Sequence, residues 1–371
     1  MMLRGEATTG RRMLGIGLTL AVGALAAGLV ALGNPGNMGV CGACFLRDAA
    51  GALKLHAGPQ IFRPELAGLV IGPLVMTIAS RKPFGRSGSH AAARFVFGIW
   101  MAIAALVFLG CPFRMLQRLG GGDLTAWFAM PGFIAGVGAG LLLERRGYSV
   151  GKTQPAPGPV GALGPLAILA LLGMFLVGGV LAGPGPGDDG KPAHAPWLAA
   201  LGIATVCGAL LSATGFCAVS AARQVFSGPR WILAAAGALI VGYAAVALAT
   251  GKFNLASTGQ PIAHGDVLWN ALALALVGLA GVLAGGCPVR QLVMTGEGNG
   301  DAFVVVGGLV TGGALAHTLG LVSTSMAAAT ATAAATDGGP TPAGQKAVVI
   351  GLAICLAYGF AMARKDEPAA A

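Results

Sequence analysis

The feature that most constrains this chain is a series of ten apolar runs without Asp, Glu, Lys or Arg. They cover approximately 13–32, 66–80, 95–110, 126–143, 160–183, 197–213, 231–250, 267–286, 302–322 and 347–363. A bilayer core of about 30 Å takes roughly 20 apolar residues as helix. The second and third runs are short, and helix-compatible flanks extend both. Only 10% of the 371 residues are charged and the mean hydropathy is +0.79, against roughly 25% charged residues in ordinary soluble domains. A soluble enzyme, a nucleic-acid-binding protein and a disordered chain are excluded on these grounds. The chain's 63 glycines and 21 prolines, alongside such long apolar runs, fit closely packed or broken membrane helices. The expected fold is an all-α polytopic membrane protein with about nine or ten transmembrane helices.

The first run follows Arg4 and the pair Arg11-Arg12, as a signal peptide would. Its length exceeds the usual h-region of about 7–15 residues, so it is read as a true span. With the N-terminus inside, 15 of the 23 Lys and Arg residues fall on the inner side, Lys82, Arg86 and Arg290 among them. The positive-inside rule then puts both termini in the cytoplasm, in the inner (plasma) membrane, with Asp188-Asp189 outside. The stretch 323–344 reads as a low-complexity outer loop, with a short added helix over 322–335 as the alternative.

The halves repeat. Gly39-Val40-Cys41 leads to Arg47, and Gly215-Phe216-Cys217 leads to Arg223, 176 positions later. Gly110-Cys111-Pro112-Phe113-Arg114 matches Gly286-Cys287-Pro288-Val289-Arg290 at the same offset, and Gly132 and Gly136 continue onto Gly308 and Gly312. The division expected is a first five-span unit over 1–183, a linker over 184–196 and a second unit over 197–371. Five is odd, so the second unit enters the membrane inverted. Inverted repeats mark transporters, with the pathway near the midplane, and they weigh against an enzyme.

Each motif cysteine lies at the end of an apolar run, beside Gly or Pro. Pro suits the first turn of a helix. Gly-Cys-Pro therefore predicts a chain break followed by a short helix whose N-terminus faces the cysteine and favours anions. Four short broken or re-entrant helices are expected, bringing Cys41 and Cys111 from outside and Cys217 and Cys287 from inside. These thiols would line a constriction, with Arg47, Arg114, Arg223 and Arg290 as anion vestibules. The plainer alternatives are cysteines buried for packing, the expected role of Cys207 and Cys355, and arginines that snorkel to phosphates. Cys41-x-x-Cys44 reads as a redox pair or half a zinc site. No second CxxC or His pair accompanies it, which disfavours zinc and any other metal. Asp48 and Asp123 are expected to pair with arginines or cap helices. His317 is the one ionisable His inside a span.

These motifs resemble the YeeE/YedE family of sulfur-compound transporters over nearly the whole chain. Asn34-Pro35-Gly36-Asn37-Met38-Gly39 leading into Cys41-Gly42-Ala43-Cys44-Phe45-Leu46-Arg47-Asp48 is most similar to its selenium-metabolism YedE/FdhT group. The resemblance implies an hourglass-like protein whose central cysteines fall on Cys111 and Cys287, with an early-loop cysteine at Cys41. It implies a small sulfur- or selenium-containing anion, such as thiosulfate or a selenium compound, as substrate. Its CxxC departs from the thiosulfate branch. A cytoplasmic sulfur-carrier protein is a further partner to consider. No cofactor, catalytic residue or nucleic-acid partner is expected. A membrane thiol redox or sulfur-relay protein using Cys41 and Cys44 is the rival reading.

Overall fold

The computed structural model describes residues 9–58, 61–178, 180–184, 194–323 and 339–363. Arg4, Asp188-Asp189, most of the 184–196 linker and most of the helix expected over 322–335 lie outside the described residues. The described chain forms fourteen helices in order: α1 Thr9–Ala31, α2 Gly42–Ala52, α3 Pro64–Ala79, α4 Ala91–Val107, α5 Pro112–Gly120, α6 Leu124–Arg145, α7 Gly158–Leu176, α8 Trp197–Thr214, α9 Ala218–Phe226, α10 Trp231–Ala249, α11 Val267–Ala284, α12 Pro288–Gly296, α13 Gly300–Thr318 and α14 Pro342–Ala363. Two two-residue strands, β1 Arg86–Ser87 and β2 Gln154–Pro155, pair antiparallel across the α4–α6 segment.

Nine helical segments among the described residues are long and apolar enough to cross a membrane. The run expected over 66–80 is α3, which has 16 residues and falls short of that length. The run expected over 160–183 ends as helix at Leu176, before Gly178 turns with φ 76°. This is an all-α polytopic membrane protein.

Backbone closeness is the packing rule. α1 lies on α10, α3 on α8, α4 on α13 and α6 on α11, while α4 also meets α11. Each of these pairs joins a helix before residue 184 to one after 196. The two sequence halves interpenetrate rather than form separate bodies. Glycine makes this fit possible. A Cβ at Gly132 or Gly136 would collide with the carbonyls of Ala271 and Ala275, and one at Gly308 or Gly312 with those of Phe95 and Ile99. In lipid, where helices gain little from apolar burial alone, such small-residue contacts carry association.

Helix starts also keep register. α4 and α11 begin at 91 and 267, α5 and α12 at 112 and 288, and α6 and α13 at 124 and 300. Each difference is 176, the offset between the cysteine motifs. Gly136→Val and Gly312→Val are each expected to lower stability by about 1–3 kcal/mol through overpacking. Gly237→Val, which faces open space, should not. Thermal unfolding followed by size-exclusion in detergent measures all three.

Candidate functional site

The long helices α4 and α11 both stop in the same way. Leu109 N–H reaches the Leu106 carbonyl and Gly110 N–H reaches Ala105; Gly285 reaches Val282 and Gly286 reaches Gly281. These are the paired bonds of a Schellman stop, which needs a left-handed residue. Gly285 takes that position at φ 86° and Leu109 at φ 63°. Gly suits it, whereas Leu is strained there. The cysteine follows in extended conformation, and Pro begins the next helix. Cys111 sits at φ −81°, ψ 169°, and Cys287 at φ −73°, ψ 165°. Cys41 and Cys217 repeat each other too, at φ −149°, ψ 119° and φ −150°, ψ 132°. All four motif cysteines are therefore N-caps, of α2, α5, α9 and α12.

The four N-termini meet. Cys41 Sγ lies 3.6 Å from Cys111 Sγ. Cys287 N–H donates to Cys217 Sγ at 3.4 Å. Gly42 packs so closely on the Pro288–Val289 backbone that a Cβ would stand 2.8 Å from Pro288 C and Val289 N. Phe113 meets Phe216 edge to face at 6.1 Å. All four thiols are buried. This gathers four helix N-termini and polarizable sulfur around one point, with backbone N–H groups donating to the sulfurs; helix N-termini favour anions. Cys44 is also buried and unbridged, and its N–H donates to Cys41 Sγ at 3.4 Å. Cys207 and Cys355 are buried in α8 and α14, away from these caps.

The motif arginines are brought to different partners. Arg47 is buried against Asp48, which also takes Arg63 Nε at 2.5 Å. Arg114 is fully buried and spends its N–H groups on backbone carbonyls: Asn37 at 3.0 Å, Pro261 at 3.3 Å, Gly36 at 3.4 Å and Leu109. Arg223 forms a two-pronged pair with Glu144 at 2.5 and 2.7 Å. Arg290 pairs with Glu297 at 3.2 and 3.3 Å. The vestibule expectation treated these four alike. Three hold carboxylates, and Arg114 acts as a clamp on the chain break.

Asp48 and Asp123 behave as expected. Asp123 pairs with buried Arg118 at 2.6 Å and caps α6 through the Thr125 N–H at 2.9 Å. Beside Arg47, His56 Nδ1 accepts from Gly58 N–H and its Nε2 lies 2.9 Å from the Arg47 carbonyl, a neutral-ring pattern. Burial, and then the Arg47 charge, lower the His56 pKa. His317 stacks on it with ring centroids 4.6 Å apart. Among the described residues no group of three or more His, Cys, Asp or Glu side chains is set to hold a metal ion.

Several residues of this region gave little signal in the sequence. Gln117 clamps Val40 in both directions, accepting from its N–H at 3.0 Å and donating to its carbonyl at 2.5 Å. Thr77, Lys82, Arg86 and Glu297 line a cavity beside the Cys217 and Cys287 motifs. The two lysine and arginine positions read only as loop charge, and Glu297 only as part of a Gly-rich turn. No family model matches the chain, and comparison with curated proteins finds no match either.

Arg114→Gln is expected to destabilise the fold, since buried carbonyls left without donors cost about 1–3 kcal/mol each. A lower unfolding temperature in detergent is the predicted readout. An unchanged temperature would mean that Arg114 does not hold the break together.

Proposed function

We propose that this chain is an inner-membrane transporter of a small sulfur- or selenium-containing anion, with a cysteine-lined central pathway. The observation that carries the reading is the meeting of four short-helix N-termini, each capped by a cysteine. Thiols are weak hydrogen-bond donors. They suit an anion that must be held and then released, since conduction requires binding that is not too strong. The helix N–H groups supply attraction without a fixed charge that would trap the ion.

The proposal includes an inverted duplication, with the second five-span unit upside down relative to the first. It is supported by the shared offset of 176 in motifs, helix starts and glycine contacts. Under it, α2, α5, α9 and α12 are the four broken or re-entrant helices, and the outline is an hourglass. Both termini face the cytoplasm, as the Lys and Arg distribution favours. The chain belongs, on this reading, with the YeeE/YedE sulfur-compound transporters, and nearest to their selenium-metabolism group. A cytoplasmic sulfur carrier is a fitting recipient for the anion.

Uptake of labelled thiosulfate and selenite into cells lacking their own importers tests this. Wild type should take up one label, and Cys111→Ala and Cys287→Ala should each abolish that uptake. Absence of uptake by well-expressed wild type would overturn the transporter reading.

A second reading has one observation in its favour: the Cys41 sulfur lies within reach of both Cys111 Sγ and the Cys44 N–H. A thiol relay built on Cys41 and Cys44 would lose all function in Cys44→Ser. Transport should instead retain most of its rate in that variant, because position 220, the offset partner of Cys44, is Ser.

A further inference from the structure

Arg114 and Arg290 occupy matching positions yet differ in one respect. Arg114 is locked on carbonyls, whereas Arg290 borders open space. A cavity of about 210 Å³ lies there, with Lys82, Arg86 and Arg290 around it and Glu297 as the one carboxylate in its lining. Three cations thus face a single anion.

Glu297 is shared out. It takes Arg290 through both oxygens, the Ser212 hydroxyl at 2.9 Å, and Arg86 only at 3.8 Å. Lys82 has no ion pair within 4 Å among the described residues. Two further groups are left over. Thr77 is one of the lining residues and is 2% exposed, and neither its hydroxyl nor Arg86 Nε has a hydrogen-bond partner among the described residues.

Arg86 is presented from a fixed backbone. Its N–H donates to the Gly298 carbonyl at 3.1 Å, and its strand pairs with Pro155 on the other side. A planar guanidinium held this way, a mobile ammonium and a free hydroxyl suit the several oxygens of a tetrahedral anion. The two uncompensated positive charges match a dianion.

We infer that this cavity binds a tetrahedral oxyanion of the sulfate, thiosulfate or phosphate class. Lys82, Arg86 and Thr77 hold it, and Glu297 is an internal competitor that occupies Arg290 in its absence. A free dianion supplies both charges, and a phospholipid headgroup offers the same tetrahedral oxygens with one charge. The placement of this site at one mouth of a pathway rests on the transport reading. The binding itself does not.

The test uses the full chain, purified in a neutral detergent and titrated with sodium thiosulfate at constant ionic strength by calorimetry. Saturable binding is expected, weakened at least about tenfold in Lys82→Gln and in Arg86→Gln, the worth of one charge-assisted hydrogen bond. Glu297→Gln should bind several times more tightly, and Lys252→Gln, on a distant exposed loop, as wild type. In a second arm the same variants are reconstituted in nanodiscs of phosphatidylcholine with phosphatidylglycerol, and retained lipid is read by native mass spectrometry. Retention of phosphatidylglycerol that depends on Lys82 and Arg86 identifies a headgroup as the source of the oxyanion. Thiosulfate binding with the same dependence identifies a free anion. Lys82 and Arg86 lie on a loop and a two-residue strand, and the unfolding temperature of each variant reports its folding. If neither thiosulfate nor phosphatidylglycerol binding depends on these residues in folded protein, the inference is wrong. That result would leave the uptake experiment untouched, and failed uptake would leave this titration standing.

Discussion

Breaking a helix at membrane depth exposes backbone groups that lipid cannot satisfy, so every break must be closed by protein. Much of the polar chemistry in this molecule answers that demand. At the α4–α5 break, Arg114 takes the Leu109 carbonyl and Arg118 takes the Phe108 carbonyl at 2.9 Å. At the α11–α12 break, Gln291 Nε2 reaches the Ala284 and Gly286 carbonyls, both at 3.3 Å, and Arg94 reaches Ala284 at 2.7 Å. Ahead of α2, Gln117 closes Val40. Some of the buried cations also meet carboxylates: Arg118 pairs with Asp123, and Arg47 and Arg63 share Asp48, whereas Arg114 rests on carbonyls alone. With the carbonyl side closed, the N–H side of each break is left facing the cysteines.

The matching positions are alike in backbone and unlike in side chain. Dihedral angles at Cys111 and Cys287 lie close together (φ −81° and −73°, ψ 169° and 165°), as do those at Cys41 and Cys217 (φ −149° and −150°, ψ 119° and 132°). The side chains diverge. Gly121 in the first half is crowded by the Asn37 side chain, and its partner at the 176 offset is Glu297, which holds Arg290. Arg114 rests on carbonyl contacts, while Arg290 sits in an ion pair beside a cavity.

The fold class and the break positions were legible because they depend on local signals. Apolar length marks the spans, and Gly-Cys-Pro marks a stop followed by a start, since Pro costs nothing at the first turn. The α5 and α12 starts at Pro112 and Pro288 follow directly. What Arg114 does was not legible, because three of its four acceptors lie at residues 36, 37 and 261 and no periodicity reports such pairings. A motif arginine that clamps carbonyls and one that faces a cavity have the same local sequence. Arg86 was hidden for a similar reason: the two-residue strand that fixes it depends on residues 155 and 298. For α3 the apolar run matched the helix closely, but the flanks did not lengthen it to a full span, since the chain turns at Ser80 and Arg81, where φ reaches 47°.

The account stands or falls on the meeting of the four capping cysteines. Mild oxidation of variants that keep only one cysteine pair tests it directly, with the cross-link read by mass spectrometry of the peptides. The account predicts that the pair Cys41 and Cys111 and the pair Cys217 and Cys287 each form a disulfide readily, while Cys207 and Cys355 do not. Failure of both motif pairs to cross-link in folded protein, or a cross-link between Cys207 and Cys355 instead, would contradict it.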